Sequence, residues 1–132
     1  MSISDTPVLT GRVLIADDLP DAARSLAVLF EMYGAEVRIS FDGAETVRIA
    51  QEFRPDIVLM DLSMPGMSGY EAARALRRMP WGRAMILVAL SGWGRTTDLE
   101  AARSAGFDDH LLKPFDVERL LEVIARLRGT RG

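Results

Sequence analysis

Val13-Leu14-Ile15-Ala16-Asp17-Asp18 is a short apolar run, rich in branched side chains, that stops against two carboxylates. Runs of this length bounded by polar or turn residues read as strands, and Pro20, which suits the first turn of a helix, follows at once. The same grammar recurs along the chain. Strands are expected at residues 12–16, 36–40, 56–60, 85–90 and 109–112. Between them lie stretches with helical apolar spacing, such as Ala23, Leu26, Ala27 and Phe30 in the first and Leu120, Leu121, Ile124 and Leu127 in the last. Gly34 fits a helix C-terminal cap, and the pairs Ser68/Glu71 and Thr97/Glu100 each fit a capping box. The pattern is (βα)5. Strands alternating with helices imply a parallel sheet covered on both faces through right-handed crossovers, and five units are too few for an eight-stranded barrel. The expected fold class is therefore α/β, an open doubly wound five-stranded parallel sheet, which gathers ligands beyond the carboxyl ends of its strands.

Around that frame the composition is ordinary for a globular domain, with 48% hydrophobic and 27% charged residues in 132. One domain is expected over residues 12–128, between short tails at 1–11 and 129–132. The absence of cysteine excludes a disulfide framework, thiolate metal sites and cysteine catalysis, and a lone His110 excludes a multi-histidine centre. Any metal must be held by oxygen. With 16 basic and 19 acidic residues, net −3, nothing draws the whole chain to nucleic acid or anionic lipid, so partners are expected to be proteins or small ions. The N-terminus lacks the basic start and apolar stretch of a secretory signal. The longest apolar run, residues 84–90, is far short of the ~20 residues that span a bilayer. No membrane insertion and a cytoplasmic location are expected.

Polar residues close four of the strands: Asp17 and Asp18 the first, Asp61 the third, Ser91 the fourth, Lys113 the fifth. In a doubly wound sheet these ends converge. Two unit charges 4 Å apart repel by about 4 kcal/mol at an effective dielectric near 20, so three carboxylates need a positive partner. A hard divalent cation, most simply Mg²⁺, suits a site of carboxylates without nitrogen or sulfur ligands. Lys113, the single lysine among the 16 basic residues, supplies a second, compact charge. Plainer readings stand beside these: Asp17-Asp18 as a helix N-terminal cap, Asp61 as the turn residue before Pro65-Gly66, and Ser91-Gly92 as turn chemistry.

Together the motifs Val13-Leu14-Ile15-Ala16-Asp17-Asp18, Ile57 to Gly69 around Asp61, Val88-Ala89-Leu90-Ser91-Gly92 and Leu111-Leu112-Lys113-Pro114 resemble the receiver domain of bacterial two-component response regulators, over residues 12–127. The resemblance implies a flavodoxin-like strand order 2-1-3-4-5. It implies that Asp61 accepts a phosphoryl group from the phosphohistidine of a histidine kinase or a histidine phosphotransfer protein, as a carboxylate nucleophile. It further implies Mg²⁺ held by Asp18 and Asp61 directly, by Asp17 largely through water and by the Ser63 backbone carbonyl, with Lys113 and Ser91 on the phosphoryl oxygens. Ser91 is then also a switch residue, and the Lys113-Pro114 bond is expected to be cis. The switch position that the family fills with Tyr or Phe holds His110, and Trp93 stands where access of water to the phosphoryl group is influenced. A phosphorylation-sensitive docking face including Leu99, Arg103, His110 and Val117 is expected, without direct nucleic-acid contact.

Too few residues follow Leu127 for an effector domain, so output is expected through a separate downstream protein effector; Met1 favours an independent gene product. A receiver fragment of a hybrid histidine kinase and a phosphorylation-independent interaction scaffold are the alternatives. An aspartyl phosphatase is disfavoured because Asp17 and Asp61 are each followed two residues on by Leu19 and Ser63 and not by a second Asp. A flavodoxin-like cofactor binder is disfavoured because Asp17-Asp18 would repel a bare phosphate.

Overall fold

Elements of the computed structural model alternate strictly: β1 (Arg12–Ala16), α1 (Pro20–Met32), β2 (Glu36–Ser40), α2 (Gly43–Phe53), β3 (Ile57–Asp61), α3 (Gly69–Arg77), β4 (Ile86–Ser91), α4 (Leu99–Ala105), β5 (Asp109–Leu112) and α5 (Val117–Arg131). It describes residues 11–92 and 99–131. A 3₁₀ turn, Gly82–Ala84, leads into β4. The five strands form one sheet in the order β2-β1-β3-β4-β5, with every pairing parallel. This is the doubly wound, flavodoxin-like architecture that the alternation and the resemblance implied.

Two-residue periodicity divides the central strands between two cores. Val13, Ile15, Ile57, Leu59, Val88 and Leu90 face one side, where Ala23, Ala27 and Phe30 of α1 and Leu120, Val123, Ile124 and Leu127 of α5 cover them. Leu14, Ala16, Val58, Met60, Leu87 and Ala89 face the other, under Ala50 and Phe53 of α2, Ala72, Ala73 and Leu76 of α3, and Ala102 and Ala105 of α4. Because both faces are buried, the strands read as unbroken apolar runs.

Local signals account for the helix ends. Pro20 occupies the start of α1, and Gly34, at φ +99°, turns the chain after it while its N–H donates to Glu31 O. Ser68 Oγ accepts from Glu71 N at 3.2 Å, the expected capping box of α3; the Thr97/Glu100 box begins outside the described residues. α5 corrects one expectation. It runs to Arg131, into the stretch read as a tail, because its backbone ladder continues through Gly129, a residue that weakens a helix by about 1 kcal/mol without breaking it.

β3 and β4 begin and end one residue later than the apolar runs suggested. The ladder continues past the last apolar side chain: Asp61 pairs with Leu90, Leu62 N donates to Leu90 O at 3.0 Å, and Lys113 N donates to Ser91 O at 2.8 Å. Asp61 and Ser91 are thus the final residues of strands, held by sheet hydrogen bonds rather than by loops.

Candidate functional site

At the carboxyl end of the sheet the parallel ladder sets side chains from three strands against one another. Asp17 N donates to Ser40 O at 3.0 Å, which carries the β1–β2 pairing one residue beyond the strand. The Asp17 side chain is wholly buried. Its Oδ1 accepts from Leu19 N at 3.0 Å and its Oδ2 from Lys113 Nζ at 2.6 Å. The reading of Asp17-Asp18 as a helix cap does not describe the structure: the residue preceding α1 is Leu19, with no side-chain cap. Pro20 has no N–H to cap, and Asp17 satisfies the turn before the helix instead.

Asp61, 4% exposed, accepts at both oxygens. Ser63 donates twice to Oδ1, from its backbone N at 2.8 Å and its hydroxyl at 2.7 Å, and Lys113 Nζ donates to Oδ2 at 3.0 Å. The lysine ammonium therefore bridges two buried carboxylates. Burial pushes the Asp61 pKa up, but the Ser63 N–H and hydroxyl and the Lys113 ammonium more than offset it, and the net direction is down. Burial likewise lowers Lys113, yet its bonds to Asp17 and Asp61 win and hold it above its ordinary value. Asp61 and Lys113 are both charged at neutral pH.

Asp18 is exposed, and carboxylate oxygens of Asp17, Asp18 and Asp61 lie within 4.8 Å of one another. Three carboxylates against one ammonium leave the cluster with a surplus of negative charge. An all-oxygen donor set with that surplus fits a hard divalent cation. Near the cluster, the hydroxyl of Ser91 is buried and has no hydrogen-bond partner. Such an orphan costs about 1–3 kcal/mol, which singles out Ser91 from its neighbours.

Lys113-Pro114 is cis, as expected. His110 lies on β5 beside Ala89 of β4, and its polar neighbour is Asp109: its N–H donates to Asp109 Oδ1 at 2.7 Å and its Nδ1 stands 3.8 Å from the same oxygen. Arg126 of α5 donates to Asp109 Oδ2. The structure thus brings Asp17, Asp18, Asp61, Ser63 and Lys113 together and sets His110 on a different surface, where it lines a cavity of about 180 Å³ with Leu99, Ala102, Arg103 and Phe107. Trp93 lies outside the described residues. The Ser63 hydroxyl is the polar group that sequence reasoning missed. Its signal was there, in a hydroxyl two residues after the candidate nucleophile.

A family model described as the response regulator receiver domain matches residues 13–125. Over 128 residues the chain is 38% identical to the transcriptional regulatory protein PrrA of Mycobacterium bovis, covering 97% of this chain and 54% of PrrA. It is 34% identical over 113 residues to Protein PilH of Pseudomonas aeruginosa, covering 86% and 93% of the two chains. The chain therefore spans about half the length of PrrA and nearly all of PilH. Among solved structures, the receiver domain of the sensor histidine kinase PA1611 from Pseudomonas aeruginosa, with a magnesium ion coordinated in its active-site cleft, matches with a TM-score of 0.81 at 31% identity over 91% of this chain and 98% of that one. Among the described residues, no helix is long and apolar enough to cross a membrane.

Proposed function

The chain belongs to the response regulator receiver family, and on that premise we propose that it is a phospho-accepting module of a two-component or phosphorelay system, with Asp61 as the acceptor. The observation that carries this reading is the Lys113 ammonium bridging the buried carboxylates of Asp17 and Asp61. An ordinary structural salt bridge needs one carboxylate. Two, with a third nearby, describe a site for additional positive charge and for a ligand that brings phosphoryl oxygens.

The donor is a phosphohistidine on a histidine kinase or a phosphotransfer protein, which locates the reaction in the cytoplasm. An Asp61 oxygen attacks phosphorus, the P–N bond breaks with its electrons leaving on the imidazole, and an acyl phosphate forms. Asp17, Asp18, Asp61 and the Ser63 carbonyl would hold Mg²⁺, which would supply positive charge for the phosphoryl oxygens. Lys113 moves its contact from Asp61 Oδ2 to a phosphoryl oxygen. The unpartnered Ser91 hydroxyl finds its acceptor on the same group, and in turning it draws on β5 through the Lys113 N to Ser91 O bond. The signal then reaches a downstream protein through the face formed by α4, β5 and α5, where Leu99, Leu112 and Val117 are exposed. His110 holds the switch position on that face.

The test is phosphorylation by acetyl phosphate with Mg²⁺, followed by intact-protein mass spectrometry. One phosphoryl adduct is expected on the wild type, with none on Asp61→Asn or in excess chelator. An adduct that survives Asp61→Asn removes Asp61 as the acceptor.

A further inference from the structure

Among the described residues five polar side chains are buried: Asp17, Ser40, Thr46, Asp61 and Ser91. Three of them belong to the acidic site or its margin. The other two, Ser40 at the end of β2 and Thr46 in α2, are wholly enclosed, and their hydroxyl oxygens lie 2.7 Å apart. Counting protons fixes the direction of that bond. Thr46 gives its one hydroxyl proton to the carbonyl of Asp42 at 2.7 Å, so Ser40 Oγ donates to Thr46 Oγ1. Apolar side chains could fill this space with no partner to find, as Ala50 and Phe53 do further along α2. A hydrogen bond instead gives the junction of β2 and α2 a direction and a distance, which non-directional apolar packing does not specify.

Both halves of the acidic cluster are set against that junction. On one side, Ser40 O accepts from Asp17 N at 3.0 Å. β2 is an edge strand with β1 as its one neighbour in the sheet, so no second strand holds its carboxyl end. The tie to α2 takes that place. On the other side, a Cβ on Gly43, the first residue of α2, would lie 2.3 Å from the carbonyl oxygen of Met67. Backbone thus meets backbone where the loop that follows Asp61 passes the helix. Asp17 and the Asp61 loop share one abutment.

We infer that Ser40 and Thr46 are positioning residues whose hydroxyl pair sets the spacing between the carboxylates of Asp17 and Asp61, and with it the affinity of the cluster for a divalent cation; this rests on the reading of the cluster as a cation site. Neither hydroxyl is part of the cluster itself. They act through the Ser40 carbonyl, which holds Asp17 N, and through the start of α2, which backs the loop after Asp61. A small hard cation such as Mg²⁺ demands near-ideal octahedral geometry, with oxygens at about 2.0–2.1 Å. A small drift of one carboxylate against the other therefore weakens binding, while the two apolar cores accommodate it without loss of the fold.

The experiment titrates Mg²⁺ alone into ¹⁵N-labelled, unphosphorylated protein and follows the amide signals of Asp18, Asp61 and Ser63, well below the melting temperature of each variant. Thr46→Val keeps the shape of the side chain and removes its hydroxyl. The double variant Ser40→Ala/Thr46→Val removes the pair and leaves no buried hydroxyl without a partner, so it carries the test alone should the single variant fail to fold. Both should bind Mg²⁺ about three- to tenfold more weakly than wild type, the range that one lost hydrogen bond represents, and in both the Asp17 amide should exchange faster. Thr46→Ser restores donor and acceptor and should return affinity and exchange to wild type. Melting temperatures that fall while Mg²⁺ affinity and Asp17 exchange stay at wild-type values would make the pair merely structural and overturn the inference, and so would a serine variant that behaves like valine. A wild type whose amides do not respond to Mg²⁺ overturns the cation site and this inference with it, an outcome told apart because no variant is then needed to see it.

Discussion

Lys113 sets the sign of the electrostatics at the acidic cluster. From the sequence alone, Asp61→Asn relieves repulsion among three carboxylates and leaves stability unchanged or raised. With the ammonium on Oδ2 and two Ser63 donors on Oδ1, the carboxylate is held ionised, and an amide forfeits charge-assisted bonds. Asp61→Asn is now expected to lower the melting temperature in metal-free buffer by about 2–5 °C, the shift that roughly 1 kcal/mol produces in a domain of this size; calorimetry showing a rise would mean that repulsion governs after all. The pH dependence follows from the two directions of shift. Asp61, lowered, contributes stability above the ordinary carboxylate pKa and loses it as pH falls through its folded value. Lys113, raised, contributes fully below its ordinary value of 10.5 and loses it as pH rises through its folded one. Between those limits the bridge is insensitive to pH. Lys113→Met leaves the buried Asp61 without its ammonium, so its carboxyl should titrate upward and the variant should melt higher at about pH 5 than at about pH 7.5, with the wild type flat between them. Its cost near neutrality should be about 1–3 kcal/mol, less than the ~3–5 kcal/mol of a fully buried pair because the Lys113 side chain stays 22% exposed. Equal melting temperatures for the variant at both pH values would show that the lysine does not govern the ionisation of Asp61.

Among the elements, the join between α3, β4 and β5 depends on a residue that sequence reasoning passed over. Arg77, at the end of α3, donates to the carbonyls of Gly106, Gly82 and Met85 and to Asp108 Oδ2, and that same Asp108 oxygen accepts from Leu87 N. One guanidinium thus satisfies loop carbonyls that the sheet leaves unpaired, in a fork that lysine cannot reproduce. Arg77→Lys should cost about 1–3 kcal/mol in urea unfolding and speed amide exchange at Gly106 and Asp108; unchanged exchange there would show the fork to be redundant. Nothing in the chain announces this, since Arg77 looks like any basic residue in the last turn of a helix. Other features were legible for definite reasons. Strands and helices declare themselves by apolar period, and Asp17, Asp61 and Lys113 by standing where a parallel sheet must bring its strand ends together. Apolarity and hydrogen bonding do not stop at the same residue, however, which is why Asp61 and Ser91 read as loop residues but belong to β3 and β4. The Ser63 clamp depends on a side-chain rotamer, which no periodicity encodes.

Across the whole molecule, the site lies where both layers meet the sheet's carboxyl edge, and the sheet holds its two sides unequally. Asp17 directly follows β1 and Asp61 ends β3, two strands in the middle of the sheet with a neighbour on each side. Ser91 ends β4 and Lys113 directly follows β5, an edge strand of four residues, and they are joined by the Lys113 N to Ser91 O bond of 2.8 Å. A rearrangement at the phosphoryl group therefore has its easiest route through β5 toward α4 and the first turn of α5. Phosphorylation should change amide exchange in β5, in α4 near Leu99 and in α5 near Val117, leaving α2 unaffected; changes confined to α1 and α2 would redirect the signal to the opposite face. Lys113→Arg tests the link itself. The compact ammonium meets Asp17 at 2.6 Å and Asp61 at 3.0 Å at once, a span that a wider planar fork fills with different geometry. Asp61 should still accept phosphate in that variant, since positive charge remains, but the exchange response along β5 and α4 should fall to a small fraction of wild type when compared at equal occupancy of Asp61. A full response with arginine would mean that any cation at this strand end transmits the signal, and that the solitary lysine carries no specific geometry.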